Sequence, residues 1–233
     1  MAHLNNVRDG RQSKVYLLQF GETASTIAKG KLYAVKSVAS SGSKLGNLKV
    51  GDIFVATSAI TPASGDTVEA VTPKFLGGAT DKDLSFEKST TEITCDKDNA
   101  TNNITNGVVA SSGSVTCYDL LDDDADSAIN LIRKRFNKVV TYGSDGAPTG
   151  AEGDRTEKDV LLFLWDARDL DVGEYVAMDI VPALITSQGH AASYGSGQTM
   201  PINFTGNDTD EAGHRRSYHQ FEYFTEFGTE MGL

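Results

Sequence analysis

Short stretches rich in β-branched and aromatic residues, separated by glycine-, serine- and asparagine-rich segments, recur along most of this chain. Such stretches are typical of β-strands joined by turns. The candidate strands are KLYAVKSVA, GDIFVATSAI, DTVEAVTPKFLGG, DLSFEKS, TTEITCD, GSVTCYD, VLLFLWDARDL, GEYVAMDIVPALITSQG, QTMPINFTGND and RRSYHQFEYFTEF. The pattern predicts a mainly β protein, an antiparallel sandwich or barrel of about eight strands.

Several of these candidate strands carry further positional information. The first two are joined by a glycine- and serine-rich segment, which predicts a hairpin with a long loop. Pro73 indicates an edge, a bulge or a strand end, and Pro182 an edge or a bulge, because proline cannot donate to a β-ladder. The unbroken apolar run from Val160 to Trp165 predicts a strand that is covered on both faces.

One stretch, LLDDDADSAINLIRKRF, has the periodicity of a helix. Its apolar residues recur at steps of three and four, which predicts one flanking α-helix over residues 122–137. Asp122 or Asp123 is placed to cap the first amides, and basic residues follow at the negative end of the helix dipole. The apolar stripe consists of Ala125, Ala128, Ile129, Ile132 and Phe136, and the bases are Arg133, Lys134, Arg135 and Lys138.

The aspartates of this stretch also invite comparison with an EF-hand calcium loop. Asp122, Asp124 and Asp126 match its first three ligand positions. Ser127 stands where the loop needs glycine, and Arg133 where it needs a bidentate glutamate. The charge-matched helix is therefore the better interpretation. After the helix, KVVTYGSDGAPTGAEGDRTEKD holds four glycines and the turn signal Asp145–Gly146, and is predicted to be a flexible connection or a projecting loop.

Motifs for catalysis and metal binding are missing from the sequence. No GxSxG elbow and no phosphate-binding loop is present, so no enzymatic activity, no catalytic residue and no cofactor is expected. His214 and His219 lie five residues apart and would point to opposite faces of a strand, without a cysteine partner at ligand spacing. We expect no metal site here, and interpret both as surface or interface histidines.

Cys95 and Cys117 lie in two strand-like stretches joined by a polar loop. If those strands pair, the sulfurs could be neighbours, but a chain made in a reducing cytoplasm normally keeps its thiols free. No apolar run approaches the length of a membrane span, and no apolar stretch follows the basic start. We therefore expect free cysteines in a soluble protein that is not exported and has no membrane partner.

Positive and negative charges are separated along the sequence. Residues 1–50 carry eight Lys and Arg against two acids, a net charge of +6, whereas the remaining residues carry thirteen against thirty, a net charge of −17. A solvated basic tail is one explanation. Alternatively, the basic start docks on the acidic body of another copy, where opposite potentials steer assembly. The acidic body argues against tight binding of nucleic acid, because phosphate contacts need clustered Lys and Arg.

Two stretches carry a resemblance to a known family. The first, Asp83 to Phe136, reads DLSFEKSTTEITCDKDNATNNITNGVVASSGSVTCYDLLDDDADSAINLIRKRF, and the second, after the glycine-rich loop and further strands, reads ALITSQGHAASYGSGQTMPINFTGND. In the organisation of residues 83 to 225, the chain resembles the tail tube (major tail) proteins of long-tailed bacteriophages. This likeness is one of arrangement, with no signature motif.

The resemblance implies a β-sandwich with one flanking helix, whose copies form hexameric rings that stack into a hollow tube. It implies a structural virion protein of the phage tail, assembled in the cytoplasm of the host bacterium. The implied partners are other copies of the chain and further tail proteins: the terminator, the tape measure and a sheath. Viral DNA would pass through the tube without specific binding, since a negative wall repels its backbone.

The resemblance also suggests roles for individual residues. The candidates for a channel-facing wall are Glu92, Asp96 and Glu174. The arm at the start of the chain and the loop Ser40 to Val50 are suited to grip a neighbour, with candidates Arg8, Arg11, Lys14, Lys44 and Lys49. The first eighty residues depart from the family pattern. We therefore divide the chain into residues 1–80, an N-terminal arm and β-hairpin extension, and residues 81–233, a β-sandwich tube core that contains the helix.

Other classes of protein are compatible with the same pattern. The chain could be another tail or capsid component, or the inner tube of a phage-derived contractile injection system. An immunoglobulin-like binding or adhesion module would also be rich in strands and poor in motifs, although the lack of an export signal speaks against it. A hydrolase with a site built from scattered carboxylates is the remaining alternative.

Overall fold

The computed structural model describes residues 13–95, 100–118, 127–136, 139–152, 158–165 and 175–222. These ranges contain twelve strands and one helix. They are β1 (Lys14–Ala24), β2 (Leu32–Ser37), β3 (Ile53–Val55), β4 (Thr67–Phe75), β5 (Ala79–Cys95), β6 (Ala100–Tyr118), α1 (Ala128–Phe136), β7 (Val139–Tyr142), β8 (Pro148–Glu152), β9 (Asp159–Trp165), β10 (Tyr175–Gln188), β11 (Thr199–Gly206) and β12 (Ser217–Glu222). The mainly β fold with one helix is confirmed, with more strands than the eight expected.

Ten of the strands form one antiparallel sheet. Its order is β3-β2-β4-β1-β9-β10-β11-β6-β5, and β12 pairs with β10 beside this path. β10 therefore has two partners on one side: β12 pairs with its first part, Tyr175–Ile180, and β11 with its last part, Ala183–Gln188. The sheet forks between these two partners, at Pro182.

One branch of the fork curls into a barrel. On β3, the carbonyl of Ile53 accepts a hydrogen bond from Ser217 Oγ of β12 (3.2 Å) and lies 3.0 Å from Nε2 of His219. The two ends of this branch therefore meet. We call the set β3, β2, β4, β1, β9, β12 and the first part of β10 the barrel. Its interior is filled by buried side chains from facing strands, among them Tyr16, Leu18, Leu32, Ile53, Leu162, Leu164, Met178 and Ile180.

The other branch, β11, β6 and β5, forms what we call the wing. The wing and the outer face of β1 and β9 enclose a second core with α1. Alternation along the strands divides the side chains: Tyr16 and Leu18 point into the barrel, whereas Val15 and Leu17 point into the second core. The side chains of β9 alternate between the two cores in the same way, so this strand is buried on both faces, as its unbroken apolar run predicts.

Both prolines occupy places where a strand lacks a partner. Pro182 lies in the gap between the β12 and β11 pairings, where its missing N–H interrupts no ladder, and its carbonyl accepts from the amide of Asn207 (2.8 Å). Pro73 is paired with Leu18 of β1, but the β2 pairing on the other side of β4 ends at Val71. As predicted, each proline thus lies where pairing on one side of its strand is interrupted or has ended.

The helix begins later than predicted. Ser127 precedes it, and Ser127 Oγ accepts from the amide of Asn130 (3.3 Å), which is the geometry of an N-cap. The described helix starts at Ala128 rather than at 122, because this serine takes the capping role that we assigned to Asp122 or Asp123; those aspartates lie outside the described residues. Arg135 ties the other end to the sheet, with two hydrogen bonds to the buried carboxylate of Asp159 (2.7 and 3.2 Å).

Two parts of the chain differ from the sequence prediction. β1 is not among the predicted strands, yet it lies in the middle of the sheet between β4 and β9. The glycine-rich segment after the helix, predicted to be a flexible connection or projecting loop, contains a separate two-stranded sheet, β7 and β8, around the expected Asp145–Gly146 turn. The predicted hairpin of β2 and β3, with a long loop over residues 38–52, is confirmed.

Cys95 and Cys117 lie at opposite ends of one long hairpin. In the β5–β6 register Cys95 pairs with Ala100 near the tip, and Cys117 pairs with Ala79 at the base. They are therefore not neighbours, and Cys117 is a buried free thiol that contacts the carbonyl of Met200. Among the described helical residues, no segment is long and apolar enough to cross a membrane.

Candidate functional site

A cleft of about 440 Å³ opens between the barrel strands and the segment that leads into β12. Its lining is rich in charge. The aromatic floor is Phe20, which stacks on the imidazole of His214 with ring centroids 3.6 Å apart and planes 7° from parallel. The charged lining residues are Lys36, Glu69, Lys158, Asp210, Glu211 and His214.

His214 is held between two carboxylates inside this cleft. Its Nε2 lies 2.6 Å from Glu69 Oε1, and its Nδ1 lies 2.8 Å from Asp210 Oδ2. The amide of His214 also donates to Asp210 Oδ1 (2.8 Å), and Lys36 Nζ reaches Glu69 Oε2 at 2.7 Å. Glu69 and His214 are both buried. We call these four residues, Lys36, Glu69, Asp210 and His214, the histidine clamp.

The surroundings of the clamp favour the protonated form of His214. An ionised carboxylate can only accept, so hydrogen bonds to both carboxylates need a proton on each ring nitrogen. Burial lowers the pKa of His214, but the hydrogen bonds and charges of Asp210 and Glu69 outweigh burial, and the pKa lies above its ordinary value. Burial raises the pKa of Asp210, and its hydrogen bonds with His214 reverse this, leaving that pKa below its ordinary value.

This arrangement is suited to holding two parts of the chain together rather than to catalysis or metal binding. Both nitrogens of His214 are engaged by carboxylates, so neither offers a lone pair to a metal or to a substrate proton. Within the described ranges, no group of three His, Cys, Asp or Glu side chains is arranged to hold a metal ion. His214 is thus buried within its own chain, and the interpretation of it as a surface or interface histidine is wrong. Asp210, four residues earlier, is the one sequence signal for the clamp, whereas Glu69 is far away in the chain.

A second pocket, of about 470 Å³, lies where the wing meets β12. We call it the aromatic pocket; its lining residues are Phe86, Val109, Asp179, Arg216, Ser217 and Tyr218. Arg216 fastens the two sides together, because its guanidinium lies over the Phe86 ring (5.3 Å to the centroid) and pairs with Asp208 at 3.0 Å. Asp179 accepts from Trp165 Nε1 at 2.7 Å, and burial raises the pKa of its carboxyl group.

The wing ends in a long, two-stranded projection. β6 pairs with β11 only over Ser111–Tyr118, whereas its pairing with β5 continues to the Cys95–Ala100 pair at the tip. Residues 86–95 and 100–110 therefore form a ribbon that extends past β11, which we call the hairpin ribbon. Along its outer edge, β5 pairs with no other strand of the described chain.

The loop over residues 38–52 is ordered by one buried carboxylate. Asp66 accepts from the backbone amides of Ala39 (2.8 Å), Lys44 (2.9 Å) and Ala63 (3.3 Å). The hydrogen bond from Ala39 is the largest cause of a lowered pKa at Asp66. Leu45 of the same loop is buried against β2 and β4. The loop is thus a built part of the surface.

The structure places the residues suggested as channel or gripping positions as follows. Glu92 belongs to the hairpin ribbon, where its backbone pairs with Asn103, and its side chain is not among those that the structure describes. Asp96 and Glu174 lie outside the described residues. Arg8 and Arg11 also lie outside the described residues. Lys14 begins β1 opposite Leu164 and is half-buried, whereas Lys44 and Lys49 are exposed on the loop over residues 38–52.

Comparisons with known proteins give partial structural likenesses. No protein-family model matches this chain, and no curated protein matches it. A chain in the tail of an empty gene transfer agent (GTA) particle, refined with C6 symmetry, is 16% identical over 60% of this chain and 84% of that one, with a TM-score of 0.37. A chain in the virion of a native GTA particle is 16% identical over 63% and 88%, also with a TM-score of 0.37. Similarity at this level assigns neither a family nor a function.

Proposed function

We propose that this chain is a structural subunit of a phage-like tail, and that its copies form stacked hexameric rings around a channel for the genome. The observation that carries the proposal is the wing. A ten-stranded sheet ends on one side in a barrel that closes on itself, and on the other in the seventeen-residue strand β5. No other described strand covers its outer edge.

An open edge of this length needs a partner. Unpaired backbone N–H and C=O groups along an edge strand are a template for pairing with another chain, and proteins normally shorten, cover or close such edges. Here the opposite end of the sheet is covered by β12, whereas β5 and β6 extend together as a ribbon past β11. Pairing of each wing with the next copy would complete the sheet, and repeated around a ring it would form a closed wall.

The charge distribution supports the same assembly. Beyond residue 50 the chain carries a net charge of −17, and a wall of that sign lets DNA slide without adhesion. We place Glu92, Asp96 and Glu174 on the channel side. The basic residues Arg8, Arg11, Lys14, Lys44 and Lys49 would grip the acidic body of a neighbour.

In this role the protein acts by assembly and conduction, without an enzymatic step. Its partners would be its own copies within and between rings, and the terminator, tape measure and sheath proteins at the ends and outside of the tube. It would be assembled in the host bacterial cytoplasm and end in the virion. The division into an extension, residues 1–80, and a tube core, residues 81–233, remains part of this proposal.

Electron microscopy of the purified protein tests the proposal directly. At rising concentration we expect hollow rods of uniform width with sixfold end views, and sedimentation should show their growth from smaller species. A single monomeric species at every concentration, in low and physiological salt, would exclude the tube. Rods without a central channel would retain self-assembly but exclude conduction.

A further inference from the structure

The turn between β10 and β11, residues 189–198, presents a tyrosine that its own chain does not cover. Tyr194 is fully exposed to solvent. The turn below it is braced by paired hydrogen bonds between Ala191 and Thr199 (2.8 Å each) and by the amide of Ser196 donating to the Ser193 carbonyl (3.2 Å). A large aromatic ring is therefore held out from a turn that is already ordered, which lowers the entropic cost of binding through it.

The aromatic pocket has the chemistry to receive such a ring. Phe86 and Tyr218 are 44% and 58% exposed, so two aromatic side chains at the pocket remain accessible to solvent. The guanidinium of Arg216 already lies over the Phe86 ring. Clusters of exposed aromatic residues beside an arginine are typical of the energetic centre of protein–protein interfaces.

The polar group of the pocket matches the hydroxyl of a tyrosine. Asp179 is half-buried and has one carboxylate oxygen engaged by Trp165. A carboxylate offers about four acceptor sites, so it can take a second donor. A phenol ring lying against Phe86 would bring its O–H to that carboxylate, and a donor there would relieve the cost of a partly buried charge.

The tyrosine that fills this pocket must come from another molecule. Asp179 lies near the start of β10, and Tyr194 lies beyond its end at Gln188. Gln188 is the ninth residue after Asp179 along the extended strand, at a distance of about 30 Å. The projecting group and the receiving pocket therefore sit at opposite ends of one strand, which is the arrangement of a head-to-tail contact that closes into rings or continues as filaments.

We propose that Tyr194 of one copy inserts into the aromatic pocket of the next copy, between Phe86 and Tyr218, with its hydroxyl donating to Asp179. This contact rests on the proposed function, since it presumes self-assembly. The contact adds a specific anchor to the proposed assembly, at a site separate from the open edge of β5.

Cross-linking between two variants tests the contact. Chains carrying Ala192→Cys, beside the tyrosine, are mixed with chains carrying Val109→Cys, at the pocket. We expect disulfide-linked pairs in the mixture and none in either variant alone, because the contact is heterologous. Adding Tyr194→Ala to the first chain should abolish the cross-link. Tyr142→Cys, at an exposed tyrosine on β7, replaces Ala192→Cys as the control and should give none.

Assembly measurements give a second readout. Tyr194→Ala should raise the concentration needed for assembly by on the order of tenfold, and Tyr142→Ala should leave it unchanged. Tyr194→Phe and Asp179→Asn should each raise it by a few-fold and be non-additive when combined, because both break one hydrogen bond. Since Tyr194 is fully exposed in its own chain, circular dichroism of its variants should match that of the native protein.

The outcomes separate this contact from the function on which it rests. If the native chain forms hollow rods but the cysteine pair does not cross-link and Tyr194→Ala assembles normally, the contact is wrong and the tube stands. If the cross-link forms only between identical variants, the head-to-tail geometry is wrong. If the native chain stays monomeric at every concentration, both the proposed function and the contact fail.

Discussion

A single imidazole joins two parts of the chain that are 145 residues apart. His214 binds Glu69 of β4 on one side and Asp210 of its own segment on the other, with Lys36 of β2 completing the charge balance and Phe20 of β1 stacked on its face. The segment before β12 is thereby held on the barrel. Losing one partner of such a buried network leaves an uncompensated charge, which is costly.

The stability of the fold should therefore fall as the pH rises above about 6.5. A histidine whose folded pKa is raised contributes stability that is fully present below its unfolded pKa of about 6.5 and is lost as pH rises through the folded pKa. We expect urea denaturation to show a free energy of unfolding that falls as the pH rises from about 6.5 through the folded pKa. His219 acts in the opposite direction below pH 6.5, because burial lowers its pKa.

Replacing the histidine isolates this effect. His214→Gln should cost about 3 kcal/mol at pH 6 and flatten the slope above about pH 6.5, since the imidazole between two carboxylates is gone. His190→Gln, at an exposed histidine, is the matched control and should leave the slope as in the native protein. An unchanged slope in His214→Gln would show that another group titrates.

The backbone of Gly51 is a second point where the same segment is fastened. Gly51 has a φ of +91°, and a Cβ built there would overlap the carbonyl oxygen of Gly213. Its own carbonyl accepts from the amide of Arg215 (2.7 Å). Gly51→Ala should lower the free energy of unfolding by about 3 kcal/mol in thermal and urea denaturation, because it combines strain with a clash.

Gly146 supplies the comparison for that substitution. It also has a positive φ, +78°, but open space surrounds its Cβ position. Gly146→Ala should cost only about 1 kcal/mol, the conformational term alone. Equal losses in the two variants would mean that the contact with Gly213 contributes nothing.

The sequence indicates single residues well only where their partners are local. The basic end of the helix and both prolines behave as their neighbours predict. The role of His214 was not visible, because Glu69 reaches it only once β4 and the segment before β12 are packed together. Ser127, which is three residues before Asn130, is a local signal for the helix cap, and the adjacent aspartates obscured it.

Among the secondary-structure elements, the β5–β6 hairpin is the one whose length exceeds what its own chain needs. Replacing residues 89–108 with Asn-Gly would join Lys88 to Val109, which face each other in the register, through a two-residue turn. Of the described side chains at the base of the ribbon, those of Phe86, Glu87, Lys88 and Ala110 are exposed. We expect a folded protein with a melting temperature close to the native value that no longer assembles, as measured by circular dichroism and sedimentation.

Shortening the other hairpin provides the control. Residues 142–149 between Thr141 and Gly150 can be replaced in the same way, because β7 and β8 form a separate sheet. That variant should assemble as the native chain does. Normal rods from the chain without the ribbon would contradict the proposal that the wing pairs with a neighbour.

Strands with glycine- or proline-marked ends were predictable, and two kinds of strand were not. After Lys14, β1 continues with four consecutive buried residues, Val15 to Leu18, because the strand lies between two cores. A short apolar run of this kind gives no period to read. β7 and β8 were hidden because the four glycines of the segment around them suggest a loop, whereas cross-strand pairing around the Asp145–Gly146 turn decides their structure.

Considered over the entire molecule, the separated charges predict salt-dependent assembly. Removing residues 1–12 deletes Arg8 and Arg11 but leaves Lys14 in β1, so the sheet should be preserved. We expect folded monomers or rings that do not polymerise into rods in electron micrographs, because the attraction between the basic start and an acidic neighbour is lost.

A charge-only variant distinguishes attraction from simple contact. Arg8→Gln with Arg11→Gln keeps the length of the segment and should slow polymerisation at low salt. The native chain should slow likewise at about 1 M salt, where the screening length falls to about 3 Å. Normal rods from the chain that lacks residues 1–12 would exclude a role for this segment.

The fork at Pro182 has a mechanical consequence. A pull on the β5 edge from a neighbouring molecule is transmitted through β6 and β11 to the last part of β10. In contrast, β12, which contacts Ile53 of β3, is paired with the first part of β10. In the proposed assembly, strain would thus be borne first by the backbone ladders of the wing, and the contact between β12 and Ile53 would carry less of the load.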